Sequence, residues 1–373
     1  MPRAVNVASR ISGASASPEG KRIVFAARGE LFNVPVKEGY TINMTRSSGA
    51  FDQNPAWSPD GKTIAYWSDK SGEYQIWLQD SEMKEDARQL TKRKFGFGYS
   101  LNWSPDSKKI AYIDETNSIY IIDAETGKTE TVGKTLWNVS HSGRDYFTLS
   151  WSADSRWLAY ADQIENVNSA LFLYNVEKKE LKQATKGYYS DSDPVFSTDG
   201  KYLFYLTDRN FQAAYSSLGD GTWVYPNTTQ IAALSLTKDA PFILGAKNDE
   251  LNEEKPVKDT SELVVDIDFD GLESRMVLLP PKAGNIRGVM PFGDKLVFLR
   301  APNTGSAGGP PSLSFFDLKS REEKKIMDGV GMVSPTADGK SLLVSAGGKY
   351  GIIKPAPGQK IAKPIPTDGL VMD

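Results

Sequence analysis

Five times along this chain an aromatic or small residue is followed by Ser, one variable residue, an acid, Gly or Ser, a base, one more residue and an apolar triplet. The copies read ASPEGKRIVF from Ala16, WSPDGKTIAY from Trp57, WSPDSKKIAY from Trp103, WSADSRWLAY from Trp151 and FSTDGKYLFY from Phe196. Their first residues are 41, 46, 48 and 45 positions apart, and self-similarity at that period is the signature of a β-propeller. Each copy sets an acid followed by Gly or Ser, Glu-Gly in the first and Asp-Gly or Asp-Ser in the others, between two short apolar runs, and such dipeptides favour the positive-φ conformations that reverse a strand. A third apolar segment follows in each unit, such as YQIWLQD or SIYIIDA, and then a polar fourth, such as ARQLT or TETVG, which completes a four-stranded blade. The Trp, Phe or Ala that opens each motif is expected to pack against the neighbouring blade.

Two further copies are degenerate. MPFGDKLVFL starts at Met290, and PTADGKSLLV starts 45 residues later at Pro335. Inner hairpins are therefore expected near 16–25, 57–66, 103–112, 151–160, 196–205, 290–298 and 335–344 of a single propeller spanning residues 1–373. The fold class read from this array is all-β, a seven-bladed β-propeller of four-stranded antiparallel blades, with eight or six blades as the alternatives. The ambiguity lies in the 94 residues between Phe196 and Met290. The reading preferred here is one blade carrying a turn-rich aromatic insertion at 211–229 and a polar loop at 245–261, with QIAALSLTKD as its third strand and VVDIDFDGLESRMVLLP as a further strand pair. At the N-terminus AVNV has the length and β-branched content of an outer closing strand, with KIAKPIP near Lys360 as one partner it could take, and the mode of ring closure is left open.

Composition enters where it excludes. The 44 basic and 47 acidic residues nearly cancel, so nothing points to a nucleic-acid surface. No apolar run is long enough for a membrane span or a signal peptide, which suggests a cytoplasmic location, or a periplasmic one if a leader has been removed. With no Cys and one His, His141 in a polar loop, the chain offers no thiolate metal site and no nucleophile elbow of the Gly-x-Ser-x-Gly type. No catalytic residue is assigned and no cofactor is implied.

The remaining polar candidates lie just ahead of the inner strands. DQNP at Asp52 and DSDP at Asp191 precede the repeat aromatic, so Asp52, Asn54, Asp191 and Asp193 are candidates for a channel mouth, with Tyr99, Asn102, Asp145 and Tyr146 in comparable positions. Oxygen ligands from several blades would suit a cationic peptide end or a calcium ion, the latter at Asp191 and Asp193. The alternative is that these side chains bond backbone groups at strand starts, as Asx turns do.

The WSPDG-K-x-IAY units resemble the propeller repeats of the Tol-system periplasmic protein, of prolyl oligopeptidase and dipeptidyl peptidase, and of tricorn protease. The order of segments is most similar to tricorn and its bacterial homologues. RISGASASPEGKRIVFAARGELFNVPVKEG from Arg10 resembles the start of the seven-bladed tricorn propeller, and TDRNF with NTTQIAALSLTKDAP resembles its fifth blade. VVDIDFDGLESRMVLLPPKAGN and ADGKSLLVSAGGKYGIIKPAPGQK resemble its sixth-blade approach and last blade. Tricorn-like proteins are serine peptidases that degrade oligopeptides, and their catalytic residues lie in modules with no counterpart in this sequence. The resemblance implies a non-catalytic propeller that guides or gates peptides through a central channel, with peptides or a protein and the peptidase modules as partners. A stand-alone interaction propeller like the Tol-system protein is the alternative it leaves.

Overall fold

In the computed structural model the repeat is a turn clamp. Ser58 Oγ donates to Asp60 Oδ1 at 2.6 Å and accepts from the Thr63 amide, while Asp60 Oδ1 also accepts from the Lys62 amide. The residue between acid and base takes the left-handed conformation, φ +76° at Gly61 and φ +60° at Ser107, which is why Gly is favoured there and Ser tolerated only with its neighbours' help. The same clamp recurs at Ser104–Asp106, Ser152–Asp154, Ser197–Asp199 and Thr336–Asp338. The motif is therefore scaffold, since its hydroxyl and carboxylate are consumed by backbone donors that a two-residue reversal would otherwise leave orphaned.

The structure describes residues 4–47, 49–135, 143–144, 146–211, 214–215, 223–245 and 263–372. Each clamp joins the first two strands of a sheet. The first four sheets begin at Ile11–Ala16, Asp52–Trp57, Asn102–Trp103 and Ser150–Trp151, and each runs through four strands in chain order. The fifth pairs Asp191–Phe196, Tyr202–Asp208, Thr229–Ser235 and Met276–Leu278. The sixth holds Asn285–Phe292, Lys295–Ala301, Ser312–Asp317 and Glu322–Asp328, and the seventh, among the described residues, has three strands, Val330–Pro335, Leu342–Ala346 and Lys349–Ile353. Seven such sheets in series are the blades of a β-propeller, and among the described residues helical geometry is confined to single turns such as Ala8–Arg10 and Glu273–Arg275.

By contact density the chain forms two compact units. Unit 1 comprises residues 1–149, 299–315 and 324–373, and unit 2 comprises 150–298 and 316–323. Each unit buries the alternating faces of its sheets. In unit 1, Ala65, Trp67 and Ile76 of the second sheet pack against Ile110, Tyr112 and Ile122 of the third. In unit 2, Ala159, Leu171 and Leu173 of the fourth sheet meet Leu203, Tyr205 and Leu234 of the fifth. The repeat aromatics take part as expected: Trp103 Nε1 donates to the Ala56 carbonyl at 3.0 Å, and Phe196 lies in the core between the fourth and fifth sheets.

Two expectations are corrected. The stretch VVDIDFDGLESRMVLLP does not make a strand pair: only Met276–Leu278 is a strand, and residues 263–269 run extended without joining a ladder. The reason is visible in its bonds. The Val265 amide donates to Asp154 Oδ2 at 2.7 Å, the Val265 carbonyl accepts from Trp157 Nε1 at 3.0 Å, and Val265, Ile267 and Phe269 insert into the core between the fourth and fifth sheets. Side chains of the fourth sheet take both backbone groups of Val265, and toward the fifth sheet the Asp268 amide donates singly to the Leu236 carbonyl at 2.9 Å, so no ladder is built. The N-terminal segment also pairs elsewhere: Val5 and Asn6 face Met372 and Val371 in a separate two-stranded sheet, not the segment near Lys360. Val7 beside them is buried in one cluster with Leu370 and with Ile365, so KIAKPIP meets the N-terminal segment through one apolar side chain and not through a strand ladder.

Candidate functional site

The two DxxP segments build alike. Asp52 and Asp191 open the inner strands of the second and fifth sheets, each only 1% exposed, and each sits opposite a hydroxyl residue of the next strand, Ser68 and Thr207. Two residues further on, the register slips, and Asn54 and Asp193 occupy the bulge with φ of +51° and +48°. Asn and Asp bear this conformation better than other side chains, and Pro55 and Pro194 then lack the amide that a regular ladder would require. Sequence reasoning treated the four polar residues as equivalents, whereas the fold buries the first of each pair and spends the second on backbone geometry. Asp193 Oδ2 in addition accepts a long bond from the Gly288 amide, 3.4 Å.

A buried carboxylate requires company. In unit 2, Thr207 Oγ1 donates to Asp191 Oδ1 at 2.6 Å, and the Arg209 guanidinium lies 4.0 Å from the same oxygen and 3.7 Å from Glu273 Oε1. Arg209 is held by its Nε bond to Thr207 Oγ1, 3.0 Å, and by the face of Tyr189, 4.4 Å from the ring centroid. Burial pushes the Asp191 carboxyl above its ordinary range, with Thr207, Thr185 and Arg209 pulling the other way. In unit 1, Ser47 Oγ donates to Asp52 Oδ2, and Lys70 stands where Arg209 does, two residues after the cross-strand hydroxyl. Its ammonium lies 3.6 Å from the Trp77 ring centroid, and burial lowers its pKa. Tyr66 and Tyr205 occupy the matching positions two residues before the hydroxyl, both buried. The signal for this constellation was in the sequence, as the shared spacing of YWSDK and YLTDR, but it reads as strand filler until the acid opposite is known.

The other candidates separate. Tyr99 is 3% exposed, its carbonyl accepting from Trp67 Nε1 at 2.8 Å and its ring packing on Phe97. Asn102 bonds the Ser100 carbonyl at 3.1 Å, a local turn contact. Tyr146 is 83% exposed, and Asp145 and His141 lie outside the described residues. Among the described residues no three His, Cys, Asp or Glu side chains are grouped so as to hold a metal ion. Nor is any helix among them long and apolar enough to cross a membrane.

Sequence reasoning noted the aromatic content of 211–229 but not the surface to which it contributes. The strand ends that carry these carboxylates are preceded by exposed rings, Phe51 before Asp52 in unit 1 and Tyr188 before Asp191 in unit 2, and Phe95 is exposed ahead of the third sheet. In unit 2 the rings form a ladder, Tyr189 to Phe211 at 5.6 Å and Phe211 to Tyr225 at 5.7 Å edge-on, with Phe211 59% and Tyr225 53% exposed. Arg209 lies against the inner end of that ladder.

Comparison with known proteins places the chain. The profile of the tricorn protease second beta propeller domain matches residues 11–356. The chain belongs to that family. Tricorn protease homolog 2 of Streptomyces coelicolor is 28% identical over 179 residues, which are 43% of this chain and 15% of that protein. An uncharacterized peptidase of Bacillus subtilis, YuxL, is 31% identical over 182 residues, 45% of this chain and 25% of its own length. The tricorn propeller thus spans a minor part of the curated relatives it matches. The crystal structure of the tricorn protease superposes on 99% of the chain and 35% of its own, with a TM-score of 0.79 at 19% identity, a likeness of fold.

Proposed function

We propose that this tricorn-type propeller is the non-catalytic module of a serine peptidase and guides oligopeptides toward catalytic modules. Membership of the tricorn second-propeller family carries the reading. The local chemistry is consistent with it. Exposed aromatic rings precede inner strands in each unit, and in unit 2 Tyr188, Phe211 and Tyr225 present apolar faces, the two tyrosines with a hydroxyl at the edge, the surface that holds peptide side chains with little loss of rotamer entropy. Guiding requires weak contact, which solvent-exposed rings provide and a deep pocket would not.

The test is binding of fluorescently labelled oligopeptides to the 373-residue chain, followed by anisotropy. Weak saturable binding is expected, reduced about tenfold or more when Phe211 and Tyr225 are both changed to Ser, since truncating a contacting aromatic typically costs about 1 kcal/mol or more. Absence of binding to any peptide in a mixed-sequence library, or binding untouched by those changes, overturns the reading.

A further inference from the structure

Three neighbouring side chains of unit 2 each bury a polar atom without a hydrogen-bond partner: Asp191 Oδ2, Arg209 Nη2 and the Tyr205 hydroxyl. Asp191 is 1% exposed and Tyr205 0%. The distances from Arg209 Nη2 to Asp191 Oδ1, 4.0 Å, and to Glu273 Oε1, 3.7 Å, are those of ion pairs too long to be hydrogen bonds. Tyr205 feels the charge of Arg209, yet its hydroxyl makes no bond of proper geometry. Buried polar groups in folded proteins are almost always satisfied, so three orphans at one place mark something that occupies it.

We propose that unit 2 contains a binding site for one ordered water molecule, bridging Asp191, Arg209 and Tyr205. The identity of the guest follows from the charges that face it. A cation would meet the Arg209 guanidinium, and an anion would meet Asp191 and Glu273. A neutral molecule that both donates and accepts satisfies all three, accepting from Arg209, donating to Asp191 and exchanging either role with Tyr205. Three polar partners are the usual complement of a buried water. Direct repair is opposed by the anchoring of Arg209, which would have to leave the Tyr189 face and its 3.0 Å bond to Thr207. Thr185 and Glu273, which border the trio, also line a cavity of about 430 Å³ with Lys186 and Ser274. The water then acts through Arg209: it completes the polar seat that holds the guanidinium beneath Tyr189, and so sets the inner end of the exposed aromatic ladder. The site stands whether or not that ladder binds peptide.

A crystal structure of the chain at about 1.5 Å or better tests this directly. The expected result is one density peak within hydrogen-bonding distance, roughly 2.6–3.2 Å, of Asp191 Oδ2 and of at least one of Arg209 Nη2 and Tyr205 Oη. An empty site overturns the proposal, as do a peak with the short contacts of a metal ion and a direct Asp191–Arg209 pairing that leaves no room. In solution, water relaxation dispersion should count one fewer long-lived water in Tyr205→Phe combined with Arg209→Met than in the parent chain. An unchanged count in a folded variant also overturns it.

Discussion

Replacing Asp154 with Ala should be more damaging than the same change at Asp199, although both acids hold the same position in the repeat. Each accepts its motif hydroxyl and the amide of the following base, Ser152 and Arg156 in one case, Ser197 and Lys201 in the other. Asp154 alone also takes the Val265 amide at 2.7 Å, a bond that crosses 111 residues of sequence. The shared turn bonds should cost about 1–2 kcal/mol at either site. The additional bond is made by a charged acceptor to the amide of a residue only 2% exposed, and its loss should add roughly 1.5–3 kcal/mol locally. Hydrogen exchange reads that difference at the amide itself and does not require two-state unfolding. Protection of the Val265 amide should fall roughly ten- to a hundredfold in Asp154→Ala, by the conversion of about 1.4 kcal/mol per decade, and stay unchanged in Asp199→Ala. If Val265 keeps its protection in Asp154→Ala, the extended segment at 263–269 is held by its apolar side chains, and the argument from hydrogen bonding fails.

Three other perturbations have equally definite outcomes. Gly98→Ala would set a methyl 2.1 Å from Trp67 Cζ2, and Trp67 is fully buried and bonded through Nε1 to Tyr99. A loss of about 3 kcal/mol or more is expected by urea unfolding, against little change in Gly13→Ala, whose added methyl meets only ordinary contacts. Burial pushes the half-buried Asp162 carboxyl up to about 6, so between its ordinary 3.8 and 6 the native state holds a proton that the unfolded chain releases, and stability falls as pH rises through that window. Asp162→Asn should therefore match the parent near pH 3.5 and exceed it above pH 6.5 by about 1 kcal/mol, the shift being discounted for partial exposure; denaturant midpoints at the two pH values check this. Deleting residues 1–8 removes the Val5–Asn6 strand and the buried Val7, and should lower the melting temperature by several degrees, with Val7→Ala alone costing about 1–2 kcal/mol; an unchanged melting curve refutes the packing role of the segment.

The repeat was legible because its chemistry is local. Ser58, Asp60, Gly61 and Lys62 satisfy one another within a few residues, so the motif declares its own conformation wherever it occurs. The third and fourth segments were legible by alternation, as in Ser118–Asp123 followed by Thr129–Lys134. What escaped depends on partners far along the chain. The segment at 263–269 has the apolar alternation of a strand, and only Asp154 and Trp157, over a hundred residues earlier, explain why it stays outside the ladder. The partner of AVNV was not legible because a two-residue pairing carries almost no pattern, and its location is decided by where Val7 finds an apolar seat. At the candidate site the acids could be named, yet nothing in DQNP or DSDP reveals that Asp52 and Asp191 turn inward while Asn54 and Asp193 absorb a bulge. Arg209, Lys70 and the ladder Tyr189–Phe211–Tyr225 went unnoticed because their role exists only in relation to those acids and to each other.

The pairing of the two ends has a mechanical meaning. Val5 lies opposite Met372 and Asn6 opposite Val371, so chain leading into the first and out of the second departs from the same end of the pair. Tension applied between those two points peels the hydrogen bonds apart one after another, since they lie across the strands and along the pull, instead of loading them together in shear. Side-chain bonds from Asn6 Nδ2 to the carbonyls of Thr367 and Asp368 lie just behind and are next to bear the load. The clasp is thus a zipper set to yield first under force, releasing Val7 from its apolar seat before any of the clamped hairpins is strained.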